Sequence, residues 1–267
     1  MRGDLKVTVI GCGPAGLAAA HAATGFGAEV TILAPKQKSP LLGPLLLQRP
    51  IPGVTQTHPD AYIKQIVVNG SILDYRYKLY NDINIGINGD VLEDGYPAWK
   101  MAATYDALWA LYSDQIIDMT LTPQMLVGLQ KTTQQDLFVN TARADRFCLT
   151  PERCKFTSAP VAIRQEVAYV GQPENTIIFQ ADPNIAWARS SLIFENPVTE
   201  WALDHAPDED VMIIRKPIST TCRCHPHVLR TGRFGSWQNQ KWVDGAYWDV
   251  YKALTGMKHK VIWEAIV

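Results

Sequence analysis

Residues 6–33 read KVTVIGCGPAGLAAAHAATGFGAEVTIL, and this stretch decides the fold. The apolar run from Val7 to Ile10 predicts a buried strand that ends at a glycine-rich turn. An alanine-rich helix follows, and a second apolar strand returns from Glu29 to Leu33. A strand, a glycine turn, a helix and a strand within one βαβ length form the context in which GxGxxG predicts dinucleotide binding.

The residues of the turn have separate tasks in such a motif. Gly11 permits the tight turn, Gly13 lets a pyrophosphate approach the backbone, and Gly16 lets the helix pack closely on the strand. Pro14 suits the first helical position, because its missing N–H would be unpaired there. The free backbone amides and the helix dipole then face the phosphates, so the predicted cofactor-binding turn is Gly11, Gly13, Pro14, Ala15 and Gly16. The alternative is a glycine-rich turn that binds no ligand.

The GPAG sequence of residues 13–16 resembles the GxGPAG turn of FAD-binding flavoproteins, the group that includes amine oxidases, protoporphyrinogen oxidases and UDP-galactopyranose mutases. The resemblance implies a Rossmann-type domain and FAD as the cofactor. Those families usually carry a Glu at the end of the second strand, where it accepts hydrogen bonds from the adenosine ribose, but this chain has Ala34. The ribose would then be held by backbone, by water, or by Lys36 or Lys38. Because these lysines could also meet a ribose 2′-phosphate, NAD(P) is the alternative cofactor.

A second glycine segment lies towards the other end of the chain, where residues 228–237 read VLRTGRFGSW. This segment predicts a strand, a Gly-Arg turn and a helix that includes residues 243–251. It resembles the late strand of galactopyranose mutases and amine oxidases, where the helix that follows points its N-terminus at the FAD diphosphate. The resemblance implies that Gly232 allows close approach and that Arg233 opposes the phosphate charge.

The same resemblance implies cofactor contacts for two further segments. Residues 136–142 (DLFVNTA) predict a buried strand that closes the Rossmann sheet, so Thr141 and Ala142 are expected to contact FAD. Residues 39–53 are rich in proline and glycine, which excludes an ordinary helix or strand. In the flavoproteins this stretch runs past the dinucleotide to the flavin ring, which makes Arg49 a candidate contact for flavin or substrate; the alternative is a surface loop with a solvated arginine.

The middle of the chain predicts a β layer. Residues 62–68 and 75–80 have strand character, and runs near residues 167–170, 176–180, 186–193 and 211–214 predict antiparallel strands. Arg189 lies within one of these apolar runs, and it must face water, a partner or an anionic ligand because unpaired burial of a charge is too costly. A catalytic or anion-contacting role is therefore one hypothesis for Arg189.

The predicted fold class is α/β, with a Rossmann-like FAD-binding domain and a smaller mixed or antiparallel β layer that faces substrate. The sequence divides as residues 1–53, 96–154 and 218–267 for the FAD domain, and residues 54–95 and 155–217 for the β domain.

The chain has five cysteines, and this odd, sparse set suggests reduced thiols rather than a disulfide framework. Cys222 and Cys224 are separated by one residue, which is a poor spacing for tetrahedral zinc, and no second CxxC pair or distant His pair completes a site. The sequence therefore predicts no metal centre, with metal ligation as the alternative. A loop near the flavin is expected here, in which His225 or Cys224 takes part in proton transfer.

Composition sets broad limits on function. The chain has 267 residues, of which 47% are hydrophobic, and a formal net charge of −1, so no global field attracts nucleic acid or a membrane. No apolar stretch reaches membrane-spanning length, and the first strand begins too early to leave room for a signal peptide. A cytoplasmic location is therefore expected. Composition does not fix the oligomeric state.

These observations favour an FAD-dependent oxidoreductase that removes hydride from a carbon bearing an amine or hydroxyl, in a small-molecule or nucleotide-like substrate. One alternative is a redox-neutral flavoenzyme similar to UDP-galactopyranose mutase. A related alternative is a small viral or mobile-element flavoprotein that modifies a nucleotide or a DNA base. Another is a dinucleotide-binding protein without catalysis.

Overall fold

The computed structural model of the chain describes residues 5–41, 46–84, 95–239 and 241–264. The strands are β1 (Lys6–Ile10), β2 (Glu29–Ala34), β3 (Leu46–Leu47), β4 (Ala61–Val68), β5 (Tyr96–Lys100), β6 (Ile116–Asp118), β7 (Leu137–Asn140), β8 (Phe156–Arg164), β9 (Thr176–Gln180), β10 (Trp187–Ile193), β11 (Asn196–Ala202), β12 (Met212–Thr220) and β13 (Val228–Arg230). The helices are α1 (Pro14–Gly25), α2 (Ile72–Tyr80), α3 (Met101–Tyr112), α4 (Pro123–Thr132), α5 (Gly232–Ser236) and α6 (Val243–Glu264). Short 3₁₀ turns are found at Ser113–Gln115, Ala144–Phe147 and Leu203–His205.

The chain divides into two compact units. The first comprises Met1–Pro40, Ala103–Phe156 and Thr220–Val267, and the second comprises Leu41–Ala102 and Thr157–Ser219. The domain division predicted from the sequence assigns residues 41–53 and 96–102 to the FAD domain, but they lie in the second unit. The reason is strand pairing, because β3 pairs with β5 and β5 pairs with β4, which draws both segments into the second sheet.

The first unit is built on a five-stranded parallel sheet with the order β13-β7-β1-β2-β6. Numbered by their order along the chain, these strands run 3-2-1-4-5 from the opposite edge, which is the Rossmann arrangement. In such sheets ligands bind beyond the carboxyl ends of the strands where the strand order reverses, here between β1 and β7. The predicted Rossmann-type sheet is confirmed.

Helix α1 packs against the sheet and against α6. Its buried face consists of small side chains together with Leu17, and the small residues let the helix approach its neighbours closely. On another side, His21 Nδ1 lies 2.9 Å from the hydroxyl of Tyr112 at the end of α3. The helix that positions the glycine turn is thus fixed by packing on several faces.

The second unit contains an eight-stranded mixed sheet with the order β12-β8-β11-β10-β9-β4-β5-β3, in which β4 and β9 are parallel. Helix α2 packs on this sheet, with Tyr75 T-shaped against Phe179 at a centroid distance of 4.9 Å. The predicted mixed β layer is confirmed.

The prediction of a strand over residues 75–80 is wrong, because this run belongs to α2. Ser71 caps the helix by accepting a hydrogen bond from the Asp74 amide, while the Asp74 carboxylate accepts one from the Ser71 amide. Tyr75 and Leu79 then lie one helical turn apart on the buried face. The strand predicted at residues 167–170 is also wrong, because these residues form a loop that leads into a turn.

No helix in the described part of the chain combines the length and the apolar character needed to cross a membrane.

Candidate dinucleotide site

Two glycines in the turn between β1 and α1 are required by the conformation and packing of the protein itself. Gly11 has φ +106°, and its amide donates to the carbonyl of Leu33 at 3.0 Å. A Cβ on Gly16 would lie 1.9 Å from the Gly11 carbonyl oxygen. Any side chain at Gly16 would therefore collide with fixed backbone, so these glycines are required whether or not a ligand binds.

Gly13 differs, because the protein itself leaves room for a side chain at this position. Its φ is −67°, and the nearest atom to an added Cβ is Ser39 Oγ at 3.5 Å, an ordinary contact distance. Gly13 is the N-cap of α1, and neither a side-chain cap nor an acidic residue in the first turn serves this end of the described helix. The first amides of a helix have no intrahelical acceptor, so the end of α1 presents donors and a positive dipole. Gly13 and the free amides at the start of α1 thus form an open cradle for a ligand. A Cβ at Gly13 would enter this space, and a diphosphate would fit it.

The end of β7 lies against this turn. Thr141 donates to the Ile10 carbonyl through both its amide (3.0 Å) and its hydroxyl (2.9 Å), and the Ala142 amide donates to the same oxygen at 3.2 Å. A Cβ on Gly11 would lie 2.7 Å from Thr141 Oγ1 and 3.2 Å from the Ala142 nitrogen. The structure thus brings Thr141 and Ala142 to the glycine turn, with the threonine hydroxyl already bonded to backbone.

The end of β13 reaches the same place. The Thr231 amide donates to the Asn140 carbonyl at 3.1 Å, and Gly232 follows with φ +68°. A Cβ on Gly232 would lie 2.8 Å from the Cβ of Ala15. The two glycine segments from opposite ends of the sequence therefore converge on one edge of the sheet.

Arg233 follows this turn, and its guanidinium carbon lies 5.5 Å from the ring centroid of Trp242. This contact is within the range of cation–π attraction. Helix α5, which contains Arg233, has five residues, and the longer α6 begins at Val243. The sequence predicted one helix here, and the structure has two. The contact of Arg233 with a phosphate stays a prediction.

A carboxylate stands next to Ala34, where the sequence found none. Ala34 pairs with Asp118 at the ends of the parallel strands β2 and β6. The Lys36 amide donates to Asp118 Oδ1 at 3.0 Å. Asp118 is an exposed residue. Sequence reasoning missed this residue because the pairing of β2 with β6 joins positions far apart in the chain.

Both lysines proposed as ribose contacts pair with surface carboxylates. Lys36 Nζ lies 3.6 Å from Asp114 Oδ1, and Lys38 Nζ lies 2.6 Å from Asp106 Oδ1. Their roles towards a cofactor stay predictions, including the 2′-phosphate contact that would favour NADP.

Cys12 and Tyr105 fasten the turn to the segment that follows β2. The Cys12 thiol donates to the Pro35 carbonyl at 3.3 Å, and burial raises the pKa of this thiol. The Tyr105 hydroxyl donates to the Cys12 carbonyl at 3.2 Å and accepts from the Ser39 amide at 3.0 Å. Cys12 is thus a structural residue, and Tyr105 is a support that the sequence did not reveal.

The predicted catalytic residues are placed in different surroundings. Arg49 is exposed in the second unit. Arg189 forms an ion pair with Glu200, a carboxylate only 1% exposed, which also pairs with Lys216. Arg189 therefore has the partner that its burial requires, without an anionic ligand. His225 Nε2 donates to the Phe147 carbonyl at 2.7 Å, and its role in proton transfer stays a prediction.

The prediction of no metal centre depended on the absence of a second CxxC pair or a distant His pair, and it stays a prediction. The sequence does lack such a pair, but the structure supplies two more widely spaced cysteines in its place. The structure brings Cys148 and Cys154 to Cys222 and Cys224, with all four sulfur atoms within 4.8 Å of one another. The long sequence separation between the pairs concealed this arrangement.

No protein-family model matches the chain, and no curated protein sequence matches it. Solved structures do. A reduced UDP-galactopyranose mutase matches over 96% of both chains at 9% identity with a TM-score of 0.55. A variant of 2-methyl-3-hydroxypyridine-5-carboxylic acid oxygenase matches over 96% of this chain and 83% of its own, at 12% identity and TM-score 0.56.

A third match is a variant of HpxO of Klebsiella pneumoniae in complex with FAD, over 94% of this chain and 80% of that one, at 10% identity and TM-score 0.55. The chain therefore has the fold of known flavoproteins, as the sequence predicted. Identities this low show the fold alone, because one fold supports many activities.

Proposed function

We propose that the first unit binds FAD at the carboxyl edge of its parallel sheet. The observation that carries this proposal is the meeting of two glycine turns, at Ala15 and Gly232, beside an open cradle at Gly13. An N-cap glycine without a side-chain cap lets a pyrophosphate approach the free amides of the helix, and the strand order reverses at this point.

The residues that would hold FAD follow from the geometry. The amides of Ala15 and Gly16 would donate to the diphosphate, with Gly13 allowing its approach. Asp118 would accept hydrogen bonds from the ribose hydroxyls, in place of the glutamate that the related families carry after their second strand. Thr141, Ala142 and Gly232 would line the cofactor through backbone. The fit needs no 2′-phosphate, and the acidic Asp118 opposes one, so FAD is favoured over NADP.

We further propose that the protein is an FAD-dependent oxidoreductase, which removes hydride from a carbon bearing an amine or hydroxyl in a small-molecule or nucleotide-like substrate. Bound FAD supplies the hydride acceptor, and the protein supplies orientation, exclusion of water and electrostatics. The large mixed sheet of the second unit is the expected substrate-facing layer. Arg49, exposed within that unit, is the residue proposed to meet the substrate or the flavin.

A redox-neutral flavoenzyme is the second candidate, and one observation favours it. The similarity to UDP-galactopyranose mutase extends over 96% of both chains. A mutase-like or base-modifying reaction would leave the flavin in one redox state after each turnover.

The test begins with the small molecule that copurifies with the protein, identified by mass spectrometry, and with flavin absorbance after addition of FAD. Flavin bleaching under anaerobic conditions is then measured with panels of amines, alcohols and nucleosides, followed by product analysis with sugar nucleotides. Bleaching by a substrate supports the oxidoreductase, and conversion only by prereduced protein supports the redox-neutral candidate. A protein that binds FAD but converts none of these would be the non-catalytic binder, and one that binds no FAD would refute the proposal.

A further inference from the structure

Four cysteines from two separate loops meet within the first unit. Cys148 and Cys154 lie in the loop after β7, and Cys222 and Cys224 lie in the segment between β12 and β13. Cys148 and Cys222 are buried and the other two are half-buried. Because the remaining cysteine, Cys12, lies at the glycine turn, this convergence accounts for every other cysteine of the chain.

The sulfur spacing is that of a metal-centred tetrahedron. The Sγ atom of Cys224 lies 3.8 Å from those of Cys148 and Cys154, and the Cys222 sulfur lies 3.8 Å from that of Cys148. Four sulfurs each about 2.3 Å from a central zinc would be about 3.8 Å apart. A disulfide would need an S–S distance of about 2.0 Å. The measured sulfur–sulfur distances therefore match those expected for four ligands of one metal ion.

We propose that Cys148, Cys154, Cys222 and Cys224 bind one zinc ion in a closed, structural Cys₄ site. Four thiolates leave no open coordination position, which is the arrangement of structural rather than catalytic zinc. Soft sulfur ligands in a tetrahedron select zinc or iron among common metals. An iron–sulfur cluster would bind cysteines through several iron atoms, and the mutual spacing of all four sulfurs within 4.8 Å favours a single ion.

Hydrogen-bond donors lie close to the cysteine sulfurs, as is usual around metal-bound thiolates. The Thr150 hydroxyl lies 3.4 Å from Cys224 Sγ and 3.5 Å from Cys154 Sγ, and the backbone amides of Leu149 and Thr150 also contact the Cys224 sulfur. Arg230 Nη2 donates to the Cys222 carbonyl at 2.7 Å, which places a cation beside the cluster. A Zn(Cys)₄ centre carries net negative charge, so these donors and this cation would stabilise it.

The site would join two loops that lead to the candidate cofactor edge. The loop with Cys148 follows the end of β7, where Thr141 lies, and the segment with Cys224 precedes β13, which ends next to Gly232. Zinc bound here would fix the entry of β13 beside β7. Because the unfolded chain does not hold the four ligands together, the free energy of zinc binding would add to the stability of the folded state.

The decisive experiment is metal analysis of the full-length protein, purified without chelator and under reducing conditions. The expected content is about one zinc per chain. The Cys154→Ser and Cys224→Ser substitutions should each abolish stoichiometric zinc, whereas Cys12→Ser, outside the cluster, should retain it. Cobalt substituted for zinc should give the intense visible bands of tetrahedral thiolate coordination.

Where a Ser variant does not fold, the unsubstituted protein provides the test. A thiol reagent should release zinc in step with the modification of four cysteines, and a chelator should lower the melting temperature. Folded protein without zinc, with unchanged melting after chelation, would overturn the proposal. So would two disulfides in non-reduced peptide maps, or iron in place of zinc. Flavin content is read separately, so a zinc-containing protein that binds no FAD would refute the proposed function alone.

Discussion

The Cβ of Ala15 lies 2.8 Å from the position that a Cβ would occupy on Gly232. The first glycine turn therefore lies against the turn that follows β13, and no space is left for a larger residue at position 232. Gly232 also has φ +68°, a conformation that other residues rarely adopt.

We therefore expect Gly232→Ala to lower the free energy of unfolding by about 1–3 kcal/mol through backbone strain and the clash with Ala15. Chemical denaturation of the purified variant measures this change. Gly245→Ala is the matched control, because Gly245 lies in α6 and, beyond its own helix, no atom of the described residues comes within 4 Å of an added Cβ. The control should be neutral or stabilising by up to about 1 kcal/mol. Equal stability of the two variants would show that the two turns do not meet as described.

A substitution at Gly13 distinguishes an effect on cofactor binding from an effect on stability. Among the described residues, an added Cβ would meet only Ser39 Oγ, at 3.5 Å, so Gly13→Ala should leave the melting temperature nearly unchanged. The same methyl group would enter the space proposed for the diphosphate, so the Kd for FAD should rise at least about tenfold. Isothermal titration or flavin fluorescence measures the Kd.

The control for this variant is Gly25→Ala, at the far end of the same helix, where nothing outside that helix in the described part of the chain lies within 4 Å of the added Cβ. It should keep full FAD affinity. If Gly13→Ala binds FAD as tightly as the control does, the diphosphate is not at this turn.

Asp118 tests how the ribose is held. We expect Asp118→Asn to weaken FAD binding about tenfold, because it removes a charged acceptor for the ribose hydroxyls. Asp114→Asn is the control, since Asp114 is an exposed carboxylate that pairs with Lys36 and lies before β6. Equal affinities for FAD in the two variants would exclude Asp118 as the ribose acceptor. A tighter affinity of Asp118→Asn for NADP would instead favour a 2′-phosphate near Lys36.

The sequence predicted the parts of this fold that depend on neighbours along the chain. The βαβ unit of residues 6–33 was predicted because its strands, turn and helix are contiguous. The convergence of Gly232 on the first turn was predicted through a second glycine motif. Asp118 could not be predicted in the same way, because its place beside Ala34 arises from pairing between separate strands. The cysteine cluster was missed for the same reason.

Helix α2 was missed for a different reason, which is ambiguity of period. The alternating aromatic and basic residues of positions 75–80 satisfy a strand pattern, while Tyr75 and Leu79 also satisfy a helical one. The signal that could have decided between them was the capping box formed by Ser71 and Asp74, just before the run.

Glu200 decides whether Arg189 is a structural or a functional residue. Glu200 is 1% exposed and pairs with both Arg189 and Lys216, so Glu200→Gln would remove a buried carboxylate that these two cations share. Removal of one partner from a buried ion pair costs about 3–5 kcal/mol. We therefore expect a loss of that order in the free energy of unfolding, measured by urea denaturation.

Glu166→Gln provides the comparison, because Glu166 pairs with Arg164 at a site where both side chains are about one-third exposed. Such a pair contributes about 0–1 kcal/mol, so this variant should be close to the unsubstituted protein in stability. A Glu200→Gln variant as stable as Glu166→Gln, but without turnover of a substrate identified for the enzyme, would mean that the charge of Arg189 serves an anionic ligand. A large loss of stability would mean that Arg189 is held by the interior of the second unit, and the search for substrate-binding cations should then turn to exposed residues such as Arg49.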